Sequence, residues 1–263
     1  MTGIFLSELI LAFTVGSIWV TVSTIIAERL DTRWGGFIGG LPSTVVVALF
    51  FIGWTQSPMV AVQSTTVIPI ISGVDAFFVI TFILLSRNFY YALCGSLSVW
   101  AILSLGIVYF KLSFLVSLTG CLTFLGVSYC ILKAKLNTKS IFQEKIRYTV
   151  PQLLFRALLS GSIIVFAVLM AKIGGPLLGG MFAAFPAIFL SAIIIIYKAH
   201  GREFSNALMK VLMVSGCLNV VVYSIGVRYL ILPLGIKYGT VMSFVISIIF
   251  ACFLYVFVIK KIS

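Results

Sequence analysis

Nine long apolar runs joined by short connections set the folding problem for this chain: residues 4–27, 35–54, 62–85, 90–110, 112–133, 152–171, 174–197, 206–230 and 236–259. A helix needs roughly 20 apolar residues to cross a bilayer. The pattern therefore predicts an all-α polytopic membrane protein with nine transmembrane helices. Composition agrees, because 62% of the residues are apolar and 9% charged, whereas a soluble domain is about half apolar and about a quarter charged. A water-soluble globule is excluded, and 263 residues leave no room for a domain outside the membrane. The first run has no basic segment before it, carries Glu8 and lacks a small-residue cleavage pattern ahead of Glu28, so it is expected to stay in the mature protein.

The charges orient this arrangement. Net charge is +12, and what matters is where the cations fall, since Lys and Arg in short loops mark the cytoplasmic side. With nine spans, the side bearing the N-terminus receives Lys111, Lys172, Arg228 and Lys237, and the other side receives the remaining fourteen of the 18 Lys and Arg. The expectation is a protein of the cytoplasmic (inner or plasma) membrane, with its N-terminus outside and its C-terminus inside. The basic loop near 134–150 is the cytoplasmic anchor. No basic domain exists to bind nucleic acid, so the expected partners are the lipid bilayer and a small molecule. Cys94, Cys121, Cys130, Cys217 and Cys252 all lie in apolar runs without metal-type spacing, and are read as free thiols.

The second run opens GGFIGGLPSTVVVALFFI from Gly35, and the seventh GGMFAAFPAIFLSAIIII from Gly179, aligned without a gap at an offset of 144 residues. GSIWV from Gly16 likewise matches GSIIV from Gly161, and SGVDAFFV from Ser72 faces SGCLNVVV from Ser215. The chain thus reads as a first four-helix repeat at 1–111, a linker helix and basic loop at 112–150, and a second repeat at 151–263. Four helices return the chain to its starting side, so one additional crossing starts the second copy on the opposite face. The two repeats should be inverted, which is the usual structural basis of alternating access in transporters.

Each copy, with its glycine pair, small residues and single proline at the head of the second helix, resembles the GlpM-like family of short four-helix membrane proteins. In plan, four helices per half around a linker, the chain is also similar to the drug and metabolite transporter superfamily. These resemblances imply a fold and little chemistry. The chain departs from the small multidrug members of that superfamily in having no mid-depth glutamate in its first span, since Glu8 lies near the outer end.

Among six acids, only Asp75 falls near the middle of a span. Ionisable groups at that depth are costly and usually face a cavity or a partner. Its counterpart at the 144-residue offset is Asn219. We expect Asp75 to bind a proton, a monovalent cation or a cationic group of the substrate, with Asn219 supplying hydrogen bonds. The alternative is an Asp75 that bridges helices. The glycine and proline motifs contribute Gly35, Gly36, Gly39, Gly40, Pro42 and Ser43, with Gly179, Gly180, Pro186 and Ala187. They are expected to line the site through broken helices, or else to serve tight helix packing. The site should lie between the second, third, seventh and eighth spans.

Arg156 and Lys210 are expected to snorkel to the cytoplasmic surface, and Trp19, Trp34, Trp54 and Trp100 to belong to the interfacial aromatic belt. A single His200 in a loop offers no His pair, metal motif or paired aspartates, so no metal, cofactor or catalytic role is expected. The expected function is a secondary transporter or flippase of a small metabolite, drug-like or lipid-linked substrate. A non-catalytic assembly factor and a channel are the alternatives.

Overall fold

The computed structural model describes residues 3–29, 40–135, 148–254 and 256, and among them there is helix and turn but no strand. In chain order the helices are α1 (Gly3–Arg29), α2 (Ser43–Thr55), α3 (Pro58–Ser64), α4 (Ile68–Leu85), α5 (Phe89–Phe110), α6 (Phe114–Lys135), α7 (Val150–Gly174), α8 (Pro176–Ala183) and α9 (Ala187–Leu254). Local chemistry sets the ends. Asn88 caps α5 by accepting from the Tyr90 and Tyr91 amides at 3.1 and 3.3 Å. Thr149 and Gln152 form a capping box at the start of α7, satisfying amides that would otherwise lack partners.

The 68 residues of α9 are not one rod, which would be about 100 Å long and some three times the thickness of a bilayer core. Gly201 (φ 81°) and Gly235 (φ 76°) leave the helical conformation. Only glycine takes these dihedrals without strain, and they divide α9 into segments 187–200, 202–234 and 236–254.

Among the described residues, six stretches are long and apolar enough to cross a membrane: Gly3–Ile26, Ile68–Leu85, Phe89–Phe110, Phe114–Leu132, Val150–Gly174 and Pro176–Leu254. The last stretch joins α8 to the three segments of α9, and within the second apolar run the described helix is the 13-residue α2, which begins at Ser43 after Pro42. The third run is also interrupted, because a turn at 65–67 separates α3 from α4.

At the centre is α4, buried from Ile68 to Ala76 and along most of its remaining length. A helix apolar all round belongs inside a bundle, and α4 packs against α5, α6 and α9. Against α7 lies α1, and the contacts give their relative direction. The Lys172 ammonium sits 3.4 Å from the centroid of the Phe5 ring, Gly16 faces Ile164, and the Ser17 hydroxyl donates to the Ala157 carbonyl at 3.0 Å. As numbering rises along α1 it falls along α7, so the two are antiparallel. Gly16 and Gly161 form this crossing, since a Cβ on Gly161 would strike Ser17 and Phe13. The glycines that match at an offset of 145 residues in sequence thus let the two helices approach.

Contacts at the two ends of α4 place its neighbours. Beside the turn that opens α4, Arg228 donates to the Thr65 and Thr66 hydroxyls at 3.4 and 3.2 Å and stacks on Phe114. There α2 finishes, with Gly53 against Ile236 and Ala61 and Trp54 beneath the Lys237 ammonium at 5.6 Å. Beside the other end of α4, segment 187–200 finishes. The Tyr197 hydroxyl donates to the Ser86 carbonyl at 2.9 Å, and its ring packs on Phe82 and Phe89.

Candidate functional site

Two helix starts meet next to Asp75. Proline has no amide hydrogen and clashes with the turn before it, so Pro42 and Pro186 each stand immediately ahead of a new helix: Gly40 and Leu41 are non-helical before α2, and α8 ends at Ala183 before α9 begins. The hydrogen bonds at the two starts are the same. Ser43 donates to the Leu41 carbonyl at 2.8 Å and Val46 to Pro42 at 2.9 Å; Ala187 donates to Phe185 at 2.7 Å and Leu190 to Pro186 at 2.8 Å. Every donor and acceptor in the second set lies 144 residues after its counterpart in the first.

Between these starts is a cavity of about 40 Å³, room for about three water molecules. One wall is Gly40, Leu41, Pro42, Thr44 and Val45, and the facing wall is Ala184, Phe185, Pro186, Ile188 and Phe189. Asp75 enters from α4, and Gly216, Cys217 and Val220 from segment 202–234. Asp75 is 6% exposed, and its Oδ1 accepts from the Trp100 indole at 3.0 Å. Its other oxygen has no hydrogen-bond partner among the described residues. Trp100 is held in turn by edge contact with Phe185, ring centroids 4.8 Å apart.

Sequence reasoning placed Asp75, Gly40, Pro42 and Pro186 in the site, and the structure brings these four together. Ser43 lies beside the cavity without lining it. Gly35, Gly36 and Gly39 lie outside the described residues. Gly179 and Gly180 have a different place: a Cβ on Gly179 would meet the Ala171 backbone, and one on Gly180 the Ser64 carbonyl, so these two are packing glycines that let α8 lie against α7 and α3. Asn219 is also away from the cavity wall. Its amide donates to the Gly40 carbonyl at 3.2 Å and accepts from the Ser247 hydroxyl at 3.0 Å.

Two expectations need correction. Trp100 is not an interfacial residue: it is buried in the middle of α5, where its position halfway along an apolar run, opposite the only central acid, was the available signal. Arg156 does not snorkel outward. It is buried, donates to the Tyr148 hydroxyl at 3.0 Å and lies over the Tyr148 ring, so an aromatic residue takes the place of surface water. All five cysteines are free, and Cys217 is buried at the cavity wall.

No curated protein and no solved structure is similar to this chain at a significant level. One family model matches twice, at residues 9–115 and 153–261, so the two matches begin with the 144-residue offset seen in the motif. Together they cover most of the chain and identify a tandem repeat. The chain belongs to the family described as Protein of unknown function (DUF3147), of which it carries two copies.

Proposed function

We propose that this protein is a secondary transporter or flippase of a small metabolite, drug-like or lipid-linked substrate, working by alternating access without catalysis. In this reading it has nine spans in two inverted four-helix repeats, with α6 as the linker. The spans are α1; the run ending in α2; α3 with α4; α5; α6; α7; α8 with 187–200; 202–234; and 236–254. The antiparallel packing of α1 on α7, the first helices of the two copies, supports inversion. So does the divergence of α2 and segment 187–200 toward opposite ends of α4. Contacts of Lys172, Arg228 and Lys237 gather at the end of the bundle where α2 finishes, in keeping with an N-terminus outside and a cytoplasmic C-terminus in the inner or plasma membrane.

The observation that carries the proposal is the pair of matched helix starts facing one cavity beside the central acid. Broken helices at mid-depth are how inverted-repeat transporters hold substrate and coupling ion. A structure with the same hinge in each half has two conformations of similar energy, each closing the cavity at one end. The Tyr197, Asn206 and Ser86 contacts form one closure, and the contacts of Arg228, Thr65, Thr66 and Lys237 the other. Asp75 is the site of a coupling proton or monovalent cation.

Proteoliposomes containing a pH dye test this. Addition of a transported compound from a panel of small metabolites is expected to move protons with wild type and not with Asp75→Asn. Passive conductance without accumulation would make the protein a channel. A fixed co-purifying protein with no flux for any compound would make it an assembly factor.

A further inference from the structure

We infer that the two helix starts beside Asp75 form a binding site for a small monovalent anion, admitted when Asp75 carries a proton. The inference rests on the transport reading and replaces its broad choice of substrates with one class, a small monovalent anion. In the first turn of α2, the amides of Ser43 and Val46 are bonded, whereas those of Thr44 and Val45 have no acceptor among the described residues, and Pro42 provides no side-chain cap. In segment 187–200 the amides of Ala187 and Leu190 are bonded and those of Ile188 and Phe189 are not. The four residues with free amides are the ones that line the cavity, and the bonded ones do not. Uncapped helix starts attract negative charge through these amides and through the helix dipole, worth roughly half a positive charge each.

The second observation is Asp75 itself, more than nine-tenths buried, lining the same cavity, with one oxygen held by Trp100 and the other unpartnered. Ionised, it balances the two helix starts and leaves the site neutral, with no room for another anion. Protonated, it leaves about one positive charge uncompensated, and a monovalent anion restores neutrality. The empty ionised form and the loaded protonated form are then both neutral, which is the condition for moving a site through a medium that disfavours charge. Proton and anion travel together, and no bond other than O–H is made or broken.

Nothing else nearby competes for this role. Among the described residues, the titratable groups beside Asp75 are the thiols of Cys121 on α6 and Cys217 on α9. The Trp100 indole comes from α5, and among the described residues no charged side chain besides Asp75 lines the cavity. Space for about three water molecules in the innermost part of the cavity matches a halide or a one-carbon carboxylate, and the charge balance excludes a dianion.

The full chain in nanodiscs provides the test, with thermal stabilisation by sodium formate and by sodium chloride measured at pH 5 and pH 8, and sodium sulfate as the ionic-strength control. Wild type is expected to be stabilised at pH 5 by formate, chloride or both, at concentrations at least tenfold lower than at pH 8, the responding salt telling carboxylate from halide. Asp75→Asn should bind equally at both pH values. Thr44→Asp, which tethers a carboxylate at a helix start, should abolish the response at either pH. Absence of formate- or chloride-specific stabilisation in both wild type and Asp75→Asn would overturn the inference, as would a pH dependence that survives in Asp75→Asn. Because binding is read without transport, a negative result here leaves the alternating opening of the cavity to be judged on its own measurement.

Discussion

Asp75 and Asn219 hold the same place in the two copies, yet the structure uses them differently. Asn219 has both ends of its amide satisfied: it joins the Gly40 carbonyl at the first helix break to Ser247 on the last segment. Asp75 has one oxygen held by Trp100 on the helix that follows its own, and its other oxygen is without a described partner at the cavity. An amide can donate and accept at once and so is suited to tying backbone to hydroxyl. A carboxyl can gain or lose a proton, which the amide cannot. The two copies hold equivalent positions, and their side chains have diverged into an amide that braces and a carboxyl that, in the proposed mechanism, binds.

The largest effect should come from exchanging these roles. Asp75→Asn is nearly isosteric and keeps an oxygen for Trp100, so melting temperature should hold while substrate-driven proton flux falls by tenfold or more, on the order of one lost charge interaction. Adding Asn219→Asp should not restore flux, because a carboxylate there sets an acceptor against the Gly40 carbonyl. Recovery of flux in the double variant would erase the distinction between the two positions.

Bracing residues should move stability instead. Gly180→Ala drives a methyl into the Ser64 carbonyl and should cost about 1–3 kcal/mol, the range for overpacking. Gly16→Ala meets only the flexible tip of Ile164 and should cost less; thermal denaturation in one detergent compares them. Asn219→Ala removes two hydrogen bonds and leaves Ser247 and Gly40 without that partner, a loss of about 1–2 kcal/mol, read as a lower melting temperature with flux retained. The smallest change is Trp100→Phe, which keeps the ring against Phe185 and deletes one donor. Stability should fall by about 0.6 kcal/mol while the pH profile of flux shifts. An unchanged profile would mean that Trp100 only fills space.

Much of this was legible in the sequence because two signals survive in apolar chains. Proline is favoured at helix starts and costly inside them, so Pro42 and Pro186 marked the two starts, and a lone central acid stands out, so Asp75 marked the cavity. Other features depend on which way a helix face points, and low contrast between apolar residues hides this. Gly179 and Gly180 read like Gly40 in the motif but face α7 and α3, and Asn219 reads like a site residue but is saturated by its neighbours. Trp100 could be assigned to the belt or to the core by composition, and only its indole bond to Asp75 decides between them. The turn at 65–67 carries no glycine and its proline, Pro69, comes after it, which is why the third run looked unbroken.

The central claim is that two oppositely directed half-helices open one cavity to each side in turn, and Cys217 reports on it directly. With the other four cysteines replaced by alanine, in vesicles of single orientation, a membrane-impermeant thiol reagent should reach Cys217 from both sides. A cross-link between S86C and Y197C should abolish labelling from one side only, and one between G53C and I236C from the other side only. Labelling confined to one side whichever pair is linked, or both cross-links closing the same side, would contradict the account.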